Sequence, residues 1–157
     1  MHRGVLKALK QEHTDNHDGM DIALVVIDEA NEELYFAGAN RPLVYIQDNQ
    51  LHIIKGNKFG IGGGLYFQNI SFQQHRVSFA HQPTTLYLFS DGFQDQFGGS
   101  KNKKFMRNRF YQLLFDIHSL PLAEQQQQLD QALQNWMGDE SQVDDILVMG
   151  IRLGTID

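Results

Sequence analysis

Hydrophobic and polar positions follow two different spacings along this chain of 157 residues. Near the start, Val5 and Leu9 fall on one helical face, which predicts a short helix ending near Gln11. From Ile22 to Phe89 the chain consists of short apolar runs separated by turn residues, a pattern typical of antiparallel strands. After residue 105 the helical spacing returns, and a final apolar run follows it.

The central region predicts a meander of short strands. Turn signals occur at Asn31-Glu32, in the segment GANRP, and at Asp48-Asn49, where a two-residue spacing predicts a hairpin. The strands predicted between these and later turns are Ile22–Asp28, Leu34–Gly38, Leu43–Gln47, Leu51–Ile53, Ile70–Phe79 and Thr84–Phe89.

Two helices and one strand are predicted for the rest of the chain. The first helix has an apolar stripe at Phe110, Leu113, Leu114 and Ile117. The second begins after Ser119 and Pro121, which suit a cap and a first turn, and its apolar positions are Leu122, Leu129, Ala132, Leu133 and Trp136. The last predicted strand, with Ile146, Val148 and Ile151, begins directly after two acids.

Acidic residues flank two of the predicted strands. Asp91-Gly92 follows Thr84–Phe89, and Asp144-Asp145 precedes the last strand. Asp-Gly is also common in plain turns, so the sequence alone leaves both interpretations open. If the two strands are antiparallel neighbours, Asp91 and Asp144 converge at one edge of the sheet. Paired carboxylates there would suit a hard divalent cation.

Composition favours one globular domain over residues 1–157, because 41% of the residues are hydrophobic and 11% are aromatic. No apolar run approaches the length of a membrane span, and the N-terminus lacks the pattern of a signal peptide. We therefore expect a cytoplasmic protein without membrane contact. The absence of cysteine excludes thiolate nucleophiles and cysteine-ligated zinc, so a metal would need oxygen or imidazole ligands.

Charge and motifs exclude other classes of function. The net charge of −6 argues against nucleic-acid binding. The basic residues cluster only at Lys101, Lys103, Lys104, Arg107 and Arg109, which indicates either a solvated helix start or contact with an anionic partner. The segment FGIGGGLYF lacks the residues of a nucleotide-binding loop. Asn40 lies either in a plain turn or in a loop that approaches the active edge, and the neighbouring Arg41 is a candidate for a phosphate contact.

Four segments together resemble a known family. They are DGMDIALVVID, YFAGANRPLVYI, LYLFSDGFQDQFGG with KKF after it, and QVDDILVMGIRL. Their order and spacing are similar to those of the C-terminal part of the SpoIIE-type phosphatase domain, a branch of the metal-dependent (PPM) serine/threonine phosphatases. The resemblance extends from about Val5 to Leu153.

The resemblance implies an α+β fold, an antiparallel β-sandwich with flanking helices, and two Mn²⁺ or Mg²⁺ ions at one edge. It implies that Asp91 and Asp144 are metal ligands, that Asp145 is a weaker candidate, and that Gly92 supports the metal loop. We expect Asp95 and Gln96 to shape the loop after Asp91. The nucleophile would be a metal-activated water, so no catalytic side chain is predicted.

This sequence departs from the family pattern on its N-terminal side. The family has further aspartate ligands upstream, one of them shortly before a Gly-His-Gly turn, and this chain has no Gly-His-Gly. We therefore expect a C-terminal portion of the domain, incomplete at its N-terminal side, with weak metal binding and little or no activity by itself. Missing strands would expose sheet edges and favour a homodimer.

Two hypotheses about function remain. In the first, the intact parent is a bacterial signalling phosphatase that acts on a phosphorylated regulatory protein and is controlled by upstream sensor domains. In the second, the domain is a degenerate phosphatase fold that serves as a non-catalytic docking or dimerisation module. An aspartate before Gly-His-Gly in the sequence upstream would favour the enzyme.

Overall fold

The computed structural model of the protein describes residues 2–11, 18–63 and 70–154. It divides into two compact units, one formed by Met1–Leu43 with Ile53–His81 and the other by Val44–His52 with Gln82–Asp157. The expectation of one domain over residues 1–157 stays a prediction. No helix among the described residues is long and apolar enough to cross a membrane.

The described residues form mainly antiparallel strands with a few helices. The helices are α1 His2–Ala8, α2 Gly92–Asp95, α3 Arg107–Ile117 and α4 Leu122–Met137. The strands are β1 Gly19–Met20, β2 Ile22–Asp28, β3 Glu33–Ala39, β4 Leu43–Gln47, β5 Gln50–Ile54, β6 Ile61–Gly62, β7 His75–Ser78, β8 Thr84–Phe89, β9 Phe97–Gly98, β10 Lys103–Lys104 and β11 Val148–Leu153.

The first unit is built on a three-stranded antiparallel sheet in the order β2-β3-β7. The central strand β3 buries Leu34 and Phe36 completely, while the edge strand β2 leaves Leu24 and Val26 about half exposed. β1 and β6 form a separate antiparallel pair. The expectation that missing strands expose sheet edges and favour a homodimer stays a prediction.

The second unit is built on a four-stranded sheet in the order β11-β8-β4-β5. Alternate residues of β4 and β8 pack against the helices in one aromatic-rich core, because side chains alternate between the two faces of a strand. That core contains Val44, Ile46, Tyr87, Phe89, Phe93, Phe105, Phe110, Tyr111 and Leu114. It packs against β8, the strand that ends at Phe89, two residues before Asp91.

Most of the predicted elements occur, with differences at their ends. The Asp48-Asn49 hairpin is confirmed, since both residues have the positive φ, 50° and 54°, that tight hairpin turns require. The predicted strand Ile70–Phe79 is wrong in length, because only His75–Ser78 pair with β3. Likewise, the first helix ends at Ala8 instead of near Gln11.

Residues 64–67 of the segment FGIGGGLYF lie outside the described residues. The remainder is not a simple loop, because Ile61 and Gly62 pair with Met20 and Gly19. The sequence also gave no indication of α2 or of the β9–β10 hairpin, which are too short to show a periodic pattern.

Candidate metal centre

The end of β8 lies beside the start of β11. The two strands pair antiparallel over six residues, and Phe89 pairs with Val148 at this end. One step further, the Ser90 amide donates a hydrogen bond to the Leu147 carbonyl at 3.0 Å. The expectation that these two strands are neighbours is confirmed, and Asp91 therefore lies at the same end of the sheet as the segment 144–147.

The Ser90 hydroxyl joins the two segments directly. Its Oγ donates to the carbonyl of Asp145 at 2.7 Å and accepts a hydrogen bond from the Leu147 amide at 2.9 Å. The regular β11 ladder begins only at Val148, so the expectation that the strand starts directly after Asp145 is corrected. Ser90 replaces the backbone partners that a continued ladder would provide.

Gly92 allows a close approach between α2 and the segment before β11. The residue is buried, and a Cβ placed on it would lie 2.4 Å from the Asp145 carbonyl oxygen. Any side chain would therefore push α2 away from this segment. Gly92 therefore lets the loop after β8 lie against residue 145, and its support of a metal loop stays a prediction.

Asp91 occupies the N-cap position of α2. Its backbone is helical, with φ −80° and ψ −12°, and its carbonyl accepts a hydrogen bond from the Asp95 amide at 3.0 Å. Its side chain is half-buried and makes no capping hydrogen bond to the helix. Asp91 therefore contributes to α2 through its backbone carbonyl and not through a side-chain cap.

Asp144 and Asp145 are both exposed. One carboxylate oxygen of Asp144 accepts a hydrogen bond from the Asp145 amide at 2.7 Å, and the Gln142 side chain donates to the Asp144 carbonyl at 2.7 Å. These bonds shape a local turn before β11. Asp144 and Asp145 thus face solvent from a short segment whose backbone is held by hydrogen bonds at both ends.

Gln96 links α2 to the same segment from the other side. Its side chain is completely buried, donates to the Ser141 carbonyl at 2.9 Å, and accepts from the Val143 amide at 3.2 Å. This arrangement matches the expectation that Gln96 shapes the loop. Sequence reasoning did not find its contacts with residues 141 and 143, because they lie more than 40 positions away.

The weaker candidates are held by other partners. Asp95 forms an ion pair with Lys104, with 3.1 Å between Oδ2 and Nζ. In the first unit, the Arg41 guanidinium lies 3.5 Å from an Asp21 carboxylate oxygen, and the Asn40 amide donates to Asp21 at 2.8 Å. The Asp21 carboxylate therefore already holds both Asn40 and Arg41.

The carboxylate oxygens at this end of the sheet are suitable ligands for a divalent cation, but the described residues supply too few of them. Carboxylate oxygens are the ligands that Mg²⁺ and Mn²⁺ prefer. Within residues 2–11, 18–63 and 70–154, no group of three or more His, Asp or Glu side chains is arranged to hold a metal ion. The metal roles of Asp91, Asp144 and Asp145 therefore stay predictions.

Comparisons with known proteins indicate one family. The family model for stage II sporulation protein E (SpoIIE) matches residues 3–154. The chain is similar to the SiaA-PP2C domain of Pseudomonas aeruginosa, with 30% identity and a TM-score of 0.83 over 98% of this chain and 59% of that one.

Two structures of the phosphatase domain of SpoIIE from Bacillus subtilis share the fold. The Mn-presoaked form has 16% identity and a TM-score of 0.64 over 99% of this chain, and the other form has 13% and 0.56 over 96%. This chain spans 65% of each. No curated protein matches the sequence. The expected α+β, antiparallel fold class is confirmed by these neighbours.

Proposed function

We propose that this chain, which belongs to the SpoIIE family of PP2C-type phosphatase domains, forms the C-terminal part of a metal-dependent protein phosphatase. The whole protein would be a bacterial signalling protein. Its substrate class would be phosphoserine or phosphothreonine of a regulatory protein in the cytoplasm. Upstream sensor domains in the parent protein would control the activity. The proposal extends the family membership to a specific metal site and substrate class.

The pairing of β8 with β11 carries the proposal. It brings Asp91, at the end of one strand, to the same sheet end as Asp144, just before the other. We assign Asp91 and Asp144 as metal ligands and Asp145 as a weaker one. When bound, Mn²⁺ or Mg²⁺ would supply an activated water and neutralise charge on the phosphoryl group.

The role of this chain's own residues is to hold those carboxylates in place. Ser90 and Gln96 join the loop of Asp91 to the segment of Asp144 through four hydrogen bonds between 2.7 and 3.2 Å. Gly92 lets the two segments approach. These are positioning residues, since they act on the carboxylates and not on a substrate.

We propose further that this chain has little or no phosphatase activity alone. Asp91, Asp144 and Asp145 repel one another without a cation, and two or three carboxylates place two ions poorly. The chain also spans only 59–65% of its structural neighbours, which is consistent with ligands contributed by the remaining part of such a domain.

A chimera tests the enzymatic proposal. The N-terminal part of the SiaA-PP2C domain would be fused ahead of this chain, and Mn²⁺-dependent release of phosphate from a phosphoserine peptide would be measured. We expect activity in the chimera, its loss in Asp91→Asn and Asp144→Asn, and none in the chain alone. An Asp130→Asn variant, changed on the exposed side of α4, serves as the matched control.

The competing function is a non-catalytic docking or dimerisation module. The observation that favours it is the lack of a three-carboxylate group among the described residues. A folded chimera without Mn²⁺-dependent activity, assayed beside an active SiaA-PP2C domain, would support this module. Clear Mn²⁺-dependent turnover by the chain alone would contradict the expected inactivity.

A further inference from the structure

A basic hairpin follows the candidate metal centre directly in the chain. Residues 97–109 contain five of the thirteen Lys and Arg residues and no acid, although the whole chain has a net charge of −6. The strands β9 and β10 pair antiparallel within this stretch, and α3 begins at its end. The stretch is therefore a local concentration of positive charge on an acidic protein.

The hairpin is fixed to the helix that carries Asp91. The Phe105 amide donates to the Gln96 carbonyl at 2.8 Å, and the Met106 amide donates to the Gln94 carbonyl at 2.8 Å. An ion pair of 3.1 Å joins Lys104 to Asp95. Because α2 spans only four residues from Gly92 to Asp95, about one helical turn and Gln96 separate Asp91 from the start of the hairpin at Phe97.

The end of α4 supports the hairpin from another direction. The Gly99 amide donates to the Trp136 carbonyl at 2.8 Å, and the Trp136 ring nitrogen donates to the Gln96 carbonyl at 3.0 Å. The Arg109 guanidinium lies 4.2 Å from the centre of the Trp136 ring. The hairpin is thus presented by a packed base.

The five cations of residues 97–109, three in the hairpin and two in the first turn of α3, differ in what they contact. Lys104 is paired with Asp95, and Arg109 lies over the rings of Trp136 and Phe105. The other three are Lys101, Lys103 and Arg107, which are also exposed. No carboxylate of the described residues lies within ion-pair distance of these three. With the exposed apolar side chains Phe97 and Met106, they form what we call the basic hairpin surface.

Local structure at this surface is unfavourable in two respects. Met106 has φ 78° and ψ 143°, a left-handed conformation that favours glycine, although its side chain is 61% exposed and gains little from packing. α3 begins with Arg107 and has no acid in its first turn, against the preference of a helix N-terminus for negative charge. Conflicts of this kind are expected at functional sites.

We propose that the basic hairpin surface binds an acidic segment of the protein substrate, next to the centre that would hold its phosphoryl group. The proposal rests on the proposed phosphatase function for the identity of the partner. Charge complementarity and the two exposed apolar side chains favour a protein segment. Five exposed cations, one of them paired with Asp95, are few for a nucleic acid, where strong binders make about 6–10 phosphate contacts.

A binding measurement on this chain tests the proposal without requiring catalysis. The probe is a fluorescent, unphosphorylated peptide rich in Asp and Glu around a serine, titrated with the chain in EDTA. The test variant is Lys101→Glu/Lys103→Glu/Arg107→Glu. The control is Lys7→Glu/Lys55→Glu/Lys58→Glu, which makes the same change of charge at exposed positions of the first unit.

We expect the test variant to weaken peptide binding by about tenfold or more and the control to weaken it much less. Binding should also fall as salt rises. Equal affinities of the two variants would overturn the proposal, as would binding of an oligonucleotide or an anionic vesicle in place of the peptide. If the glutamate variant fails to fold, the glutamine substitutions at the same three positions give the same comparison with a smaller loss.

The assay separates this proposal from the proposed function. Because it uses no metal and no phosphate, a failure here leaves the assignment of Asp91 and Asp144 unaffected. A failure of the chimera assay with normal peptide binding would instead leave the basic hairpin surface as the docking site of a non-catalytic module.

Discussion

At the scale of single residues, the candidate site depends on backbone contacts more than on its carboxylates. Ser90 and Gln96 donate to or accept from backbone groups of residues 141–147, and Gly92 supplies the space between them. The sequence offered a signal for Gly92, because Asp-Gly marks a turn. It offered none for Ser90 or Gln96, since their partners are more than 40 positions away in the chain.

Replacing Gly92 tests how closely the two segments approach. We expect Gly92→Ala to destabilise the protein by about 1–3 kcal/mol, because its Cβ would overlap the Asp145 carbonyl and α2 would have to shift. Urea unfolding measures the change. Gly4→Ala is the matched control: a Cβ there meets nothing within 4 Å, and alanine should stabilise α1 slightly. Equal effects of the two substitutions would contradict the close approach.

At the scale of helices and strands, buried elements with clear turns were predicted well. β8 has the predicted bounds Thr84–Phe89, because its run of β-favouring residues stops clearly at the Ser-Asp-Gly turn that follows it. The apolar stripe of α3 buries Phe110, Leu114 and Ile117 as predicted. The elements that sequence reasoning missed, α2 and the β9–β10 hairpin, are held by contacts with distant residues such as Trp136.

An ion pair at the edge of the first sheet leads us to predict that the stability of the protein depends on pH. Arg76 of β7 forms an ion pair with Glu33 of β3, and the Tyr35 hydroxyl donates to the same carboxylate at 2.7 Å. These hydrogen bonds lower the pKa of Glu33 below its ordinary value of 4.5, and the bond from Arg76 has the larger effect. Because the folded pKa is lowered, the stabilisation is present above about pH 4.5 and is lost as the pH falls through the folded pKa.

The Glu33→Gln variant checks this pH dependence. Its free energy of unfolding should be lower than that of the unmodified chain at neutral pH, and the difference should shrink below about pH 4.5. Glu29→Gln, at an exposed turn position of the first unit, controls for the removal of a carboxylate. A difference that stays constant from neutral to acidic pH would show that the ion pair is not the cause.

At the scale of the whole chain, family membership and fold agree, and the site is the part that stays a proposal. The SpoIIE model covers residues 3–154, and the neighbours confirm the antiparallel fold. The pairing of β8 with β11 could be predicted from the sequence, because an acid at the end of one strand and acids before the next suggested antiparallel neighbours. The ligand set could not be completed in this way, because the described residues hold no group of three.

The most direct test of the account is a calorimetric titration of this chain with Mn²⁺, repeated on Asp91→Asn, Asp144→Asn and the control Asp130→Asn. The account predicts weak binding, with a dissociation constant of about 0.1–1 mM, as at other weak carboxylate sites. Either substitution at the site should weaken it by about tenfold or more, and the control should leave it unchanged. Binding that is indifferent to both Asp91→Asn and Asp144→Asn would contradict the claim that these two aspartates hold one metal.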